Sequence, residues 1–116
     1  MESILTSIKK MLQLPAEYNS AYDEDIIIHI NSVFMILRQA GVGPAEGFFI
    51  EDDTMKWRDF IADPVECNAV KTYMYAKVRL IFDPPQSSAH IEMLKQTVKE
   101  FEWRLNFDSE VMDFIT

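Results

Sequence analysis

The stretch Asp83-Pro84-Pro85-Gln86-Ser87-Ser88 stands between two runs whose apolar residues recur at helical spacing. Upstream, Val70, Met74, Val78 and Ile81 mark one flank of a run, and Tyr73, Ala76 and Leu80 mark the other. Downstream, Ile91, Leu94, Val98, Phe101 and Leu105 follow one another at alternating steps of three and four. Residues three and four apart share a helix face, so both runs predict amphipathic helices. Between them, Pro84 biases Asp83 away from helical dihedrals, Pro85 has no amide to donate, and Ser87 or Ser88 can cap a new helix. Asp83 is the alternative cap, with the prolines forming the first turn. Either arrangement makes the corner of an αα-hairpin, whose seam suits antiparallel packing. Glu100 and Arg104, one turn apart on the outer face, are expected to pair for about 0.3–0.5 kcal/mol.

The rest of the chain reads as further helices. Ile4, Leu5, Ile8, Met11 and Leu12 predict a short amphipathic helix that Pro15 terminates. A second helix opens on Asp23, Glu24 and Asp25, acids that favour the positive end of a helix dipole, and runs to Ala40, where Gly41, Gly43 and Pro44 stop it. Ile26, Ile30, Val33, Phe34 and Leu37 form its core stripe, while Ile28 and Met35 fall roughly opposite. A helix apolar on two sides is either central in its own domain or shared with a neighbouring subunit. "GFFI", residues 47–50, is the only strand-like run, suited to a hairpin or to an edge donated to a neighbour. Asp53 or Thr54 is expected to cap a short helix bearing Trp57, Phe60 and Ile61. In "DPVE", Asp63 fits an N-cap, Pro64 the first helical position and Glu66 the third, which starts the helix that runs to Phe82. The expected fold class is therefore mainly α: a small helical bundle with a C-terminal αα-hairpin and at most a short strand or hairpin near residues 47–53. Residues 1–107 read as one helical domain and residues 108–116 as a C-terminal tail.

Composition narrows the function classes. At 116 residues the chain closes one core. A single cysteine, Cys67, excludes an internal disulfide framework and any multi-cysteine zinc site. No apolar run approaches the roughly 18 residues of a membrane span, and the N-terminus has no uninterrupted apolar segment of the secretory type. The net charge of −8 argues against clamping nucleic acid, which draws its affinity from lysine and arginine; it suits both plain solubility and a wall that DNA slides past. Asp25 and His29 stand at metal-ligand spacing but lack a second ligand pair, and "EDD" at Glu51–Asp53 lacks the alternating ligands and glycine of a calcium loop. Cys67 and His90 sit in no nucleophile motif, and "GVGP" is followed by no Lys-Ser or Lys-Thr. No catalytic, cofactor or metal site is expected.

Exposed apolar residues are the more informative signal. Trp103 lies away from the Ile91–Leu105 seam, with Met93 and Phe107 toward a similar side, which makes an outward patch of the kind that marks protein partners unless residues 47–50 or the Trp57 helix cover it. Val111, Met112, Phe114 and Ile115 give the tail an apolar character suited to docking on a partner or a neighbouring subunit.

The segments "DEDIIIHINSVFMILRQAGVGP", "GFFIEDDTMKWRDF", "VKTYMYAKVRLIFDPPQSSA" and "EFEWRLN" together resemble small tailed-bacteriophage head-tail connector, or adaptor, proteins. The resemblance spans Tyr22 to Asn106, and the combination of "VRLIFDPP" with "EWRLN" is its most specific part. It implies a mostly helical, non-enzymatic virion protein without cofactor. Such a protein is made in the host cytoplasm and assembles as a ring, commonly of twelve copies, beneath the portal protein. The ring extends the DNA channel, lets genomic DNA pass without specific binding, involves no membrane, and offers a platform to the next neck or tail component. Ile28, Met35, Met93, Trp103 and Phe107 then become candidates for subunit interfaces, since each copy in a head-to-tail ring buries two different surfaces. Val111, Met112, Phe114 and Ile115 become candidates for portal docking, and Glu51, Asp52 and Asp53 for facing the channel. The alternative is a small helical regulatory or protein-binding module, which would remain a monomer or dimer and ignore portal particles.

Overall fold

The computed structural model describes residues 2–14 and 20–115, with side chains as far as Arg104. Five helices occur among them: α1 (Ile4–Met11), α2 (Asp23–Gln39), α3 (Trp57–Phe60), α4 (Pro64–Phe82) and α5 (Ser88–Ile115). α4 is the central element, packed against both α2 and α5, while α2 and α5 make little contact with each other. α1 closes the far end of the core against α2.

Local chemistry sets the helix ends. Ser3 caps α1 by accepting from the Thr6 amide at 3.1 Å, and the Ile4 amide reaches across to the Met55 carbonyl at 2.8 Å. α1 stops before Pro15, because Gln13 takes a left-handed conformation with φ +57°. α2 ends in paired capping bonds: the Val42 amide donates to the Leu37 carbonyl at 2.9 Å and the Gly41 amide to Arg38 at 3.0 Å. That closure requires a positive φ at Gly41, here +82°, which only glycine adopts without strain. Asp63 caps α4 through the Val65 amide at 3.0 Å, and Pro64 occupies its first turn, where no amide is needed. At the corner, Asp83 closes α4 and Ser87 starts α5, its hydroxyl accepting from the His90 amide at 3.3 Å. Ser87, rather than Asp83 or Ser88, is thus the cap of the second helix. Pro85 is buried in the turn between them.

The core collects one stripe from each helix. α2 buries Ile26, Ile30, Val33, Phe34 and Leu37, and α4 buries Val70, Tyr73, Met74, Ala76 and Val78. α5 contributes Leu94 and Val98, with Phe101 partly buried beside Tyr73. Each large apolar side chain fully buried in this way is worth about 1.5–3 kcal/mol. Ile81, expected on the buried flank of α4, is instead exposed. It lies in the last turn of α4, where its neighbour Phe82 and not Ile81 faces the start of α2, beside His29.

Residues 47–50 form no strand, and the one bridge among the described residues joins Ser3 to Lys56. The alternation of Phe48 inward, Phe49 outward and Ile50 inward is strand-like, but the backbone partner is a side chain. Asn31 on α2 accepts from the Ile50 amide at 2.8 Å and donates to the Ile50 carbonyl at 2.9 Å, doing with one carboxamide what a neighbouring strand would do. Phe48 then packs edge-on against Phe34, 5.0 Å between ring centroids, and Phe60 lies tilted against both. α3 begins one residue after Lys56, whose amide donates to the Asp59 carboxylate at 2.8 Å, so neither Asp53 nor Thr54 is its cap.

Candidate functional site

Large apolar side chains are exposed on α2, on the segment after it, on α5, and on α4 at Val65 and Ile81. Ile28, Met35, Phe49, Met93 and Trp103 are each 58–66% exposed. Ile28 and Met35, two turns apart on α2, share one stripe with Phe49 beside it; Met93 and Trp103 lie on α5. α4 packs against both α2 and α5, which make little contact with each other, so the two sets lie on different helices. Neither residues 47–50 nor the Trp57 helix covers the α5 set: Phe48 and Phe60 turn into the core against Phe34, and the Trp57 indole donates to the Ser7 hydroxyl at 2.7 Å. Phe107, Val111, Met112, Phe114 and Ile115 belong to α5 by backbone, and their side chains lie outside those described.

Phe49, which sequence reasoning placed in a possible strand but not in the exposed set, is a ridge between two open depressions. One, of about 450 Å³, is lined by Asn31, Phe34, Met35, Arg38, Glu46 and residues 47–49; the other, of about 370 Å³, by residues 47–49 with Glu51, Asp52, Thr54 and Met55. The Arg38 guanidinium holds the ridge by donating to the Ala45 carbonyl at 3.2 Å. Glu51, Asp52 and Asp53 are all exposed in the bend that follows. Asp52 is partly used in holding that bend: its carboxylate accepts from the Thr54 hydroxyl at 2.5 Å and from the Thr54 amide at 3.0 Å. These bonds hold the Asp52 carboxyl below its ordinary range.

The α4–α5 hairpin has a polar clasp that apolar spacing gave no reason to expect. The fully buried Tyr73 hydroxyl donates to Glu102 at 2.8 Å, and the Lys77 ammonium stands 3.5 Å from the same carboxylate. Burial, with the negative Glu102 beside it, pushes the Tyr73 phenol well above its ordinary value. The folded state thus holds the proton more tightly than the unfolded chain, where tyrosine titrates near pH 10. This contribution to stability is complete at neutral pH and is lost as the pH rises past about 10. Tyr73→Phe is expected to cost about 1 kcal/mol at pH 7 and to flatten the alkaline limb of the stability curve, measured by urea unfolding from pH 7 to pH 11. An alkaline limb unchanged in the variant would contradict this reading. Glu100 and Arg104 pair on the outer face at 2.8 Å, as their spacing predicts.

Elsewhere the structure offers packing. His29 lies beside Phe82, 6.5 Å between ring centroids, and Cys67 is buried in the core. Among the described residues no group of three or more His, Cys, Asp or Glu side chains is placed to hold a metal ion. No helix among them is long and apolar enough to cross a membrane.

Comparison with known proteins gives one finding. A family model described as phage connector protein matches residues 4–112. No curated protein and no solved structure matches the chain.

Proposed function

Because the chain belongs to the phage connector protein family, whose members are structural proteins of the virion that interact with other head and tail proteins, we propose that it acts as a head-tail adaptor. Copies made in the host cytoplasm close into a ring under the portal protein at the capsid vertex, continue the DNA channel and receive the next neck or tail component. The observation that carries this reading is the presence of exposed apolar side chains on two different helices, Ile28 and Met35 on α2 and Met93 and Trp103 on α5. A closed head-to-tail ring needs two different, complementary surfaces on every copy, whereas a monomeric module has no use for both. The rigid corner at Asp83–Ser87 supports it, since subunits that hold one shape meet their neighbours at one angle. The net charge of −8 fits a passage that DNA traverses without being gripped.

In this reading the C-terminal part of α5, with Val111, Met112, Phe114 and Ile115, docks on the portal. Truncation after Asn106 is then expected to abolish co-sedimentation with portal complexes while leaving helical circular dichroism and the urea midpoint close to those of the full chain. Attachment that survives the truncation would remove these residues from the docking role. A full-length chain that ignores portal complexes and remains a monomer would favour a regulatory module instead.

A further inference from the structure

We propose that in the free protein the outward stripe of α2 is covered by the same stripe of a second copy, running antiparallel to it. The ring reading gives this pair its role; its geometry rests on α2 alone.

Ile28, Ser32, Met35 and Gln39 follow at steps of four, three and four and face away from the core stripe of Ile26, Ile30, Val33, Phe34 and Leu37. Ile28 and Met35 are the exposed apolar residues of this face. Between them stands Ser32, a small side chain whose hydroxyl already donates to the Ile28 carbonyl at 2.9 Å, so covering it leaves no donor without a partner. Glu24 and Asp25 end the stripe at the start of the helix, Arg38 and Gln39 at its finish, and all four are exposed.

Read backwards, this order is its own complement. A helix turns about 100° per residue, which puts Glu24 and Arg38 toward one edge of the stripe and Asp25 and Gln39 toward the other. With a two-fold axis beside Ser32, Ile28 meets Met35 of the second copy, Glu24 meets its Arg38, and Asp25 meets its Gln39. A parallel pair would instead set Glu24 against Glu24 and Arg38 against Arg38. Arg38 is the one lysine or arginine of α2. Its Nε donates to the Ala45 carbonyl at 3.2 Å, which leaves its terminal nitrogens for a carboxylate. Asp23 is paired with Lys9 at 2.8 Å, and His29 packs beside Phe82, both away from the stripe. Glu46, Glu51, Asp52 and Asp53 belong to the loop that follows and stay outside the stripe. With the net charge of −8 they oppose the approach of a second copy in general, which favours the register that sets acids against Arg38.

A two-fold contact closes at two copies, whereas the joints of a ring are heterologous. One α2 stripe serves only one of them at a time. The pair therefore keeps Ile28 and Met35 covered and holds free chains out of rings until a portal complex offers the better contact.

Cysteine cross-linking tests the pair in the full chain, with the wild type, whose Cys67 is buried, as the blank. Ser32→Cys lies beside the two-fold axis and should give a disulfide-linked dimer under mild oxidation. Asp25→Cys and Gln39→Cys should each stay near the blank alone and link to each other when mixed. Glu24→Arg, which opposes Arg38 of the second copy with a like charge, should weaken self-association in sedimentation velocity by about tenfold, with the helical circular dichroism and urea midpoint of the wild type. The linked Ser32→Cys dimer should join portal complexes far less than its reduced form. Ser32→Cys that links no faster than Asp25→Cys alone, or Glu24→Arg that associates like the wild type, would overturn the pair and leave the ring reading untouched. A linked dimer that joins portal complexes as readily as the reduced chain would overturn the role given to the pair. Reduced wild-type chains that never join portal complexes would overturn the ring reading and leave the pair standing.

Discussion

Phe34→Ala should lower the stability of the domain by about 3–5 kcal/mol, the largest effect expected of a single truncation here. Phe34 is 1% exposed and sits where three elements meet. Its ring lies 4.7 Å from Phe60 of α3, 5.0 Å from Phe48 of the 47–50 segment and 6.3 Å from Trp57. The space it would vacate cannot readily collapse, because Phe60 is pressed against the backbone on its other side: a Cβ on Gly43 would lie 2.4 Å from the Phe60 ring. A domain of this size is stabilised by only about 5–15 kcal/mol in total, so the variant should unfold at a much lower urea concentration. It should also release the segment that presents Phe49. Phe49→Ala is the matched control, since its exposed side chain can be removed within about 0.5 kcal/mol. A Phe34→Ala protein with a normal midpoint would mean that residues 47–60 are not anchored as described.

Trp103→Ala should do the opposite, sparing the fold and damaging assembly. With two-thirds of its surface exposed, Trp103 contributes little to the core, and the helical spectrum and urea midpoint should stay near those of the wild type. As the anchor of a subunit contact its loss should cost about 2 kcal/mol or more per joint, roughly thirtyfold in association, and a ring repeats that loss at every interface. Sedimentation would register this as a shift from rings to monomers at concentrations where the wild type is assembled. Unfolding in place of disassembly would make Trp103 a core residue and withdraw α5 as a contact surface.

The helices that build the core were legible because their signal is local. α2, α4 and the start of α5 show the three-four recurrence directly, and their stops are written in Gly41, the two prolines and Ser87, each acting on its own few residues. The exposure of Ile28, Met35, Met93 and Trp103 followed from the same geometry: a side chain opposite a core stripe points outward. What spacing missed depends on partners distant in sequence. Residues 47–50 alternate as a strand does, and only the Asn31 carboxamide, 19 positions away, lets them remain single and still bury Ile50. The Tyr73–Glu102 bond spans 29 positions and the Trp57–Ser7 bond 50. Ile81 fits the apolar pattern of α4 yet is exposed, because periodicity gives the face of a helix and not which of its end residues the neighbours reach: Phe82 takes the contact with His29. Phe49 was hidden for a related reason. An aromatic within an apolar run looks like core until the backbone that carries it is known to be held by one side only.

Imaging the purified protein bound to portal complexes by cryo-electron microscopy tests the central claim most directly. The expected result is a closed ring coaxial with the portal, every copy joined to the next through one repeated contact, with the hairpin corner alike in all copies. Portal particles without added density, or isolated copies that touch the portal but not one another, would contradict it.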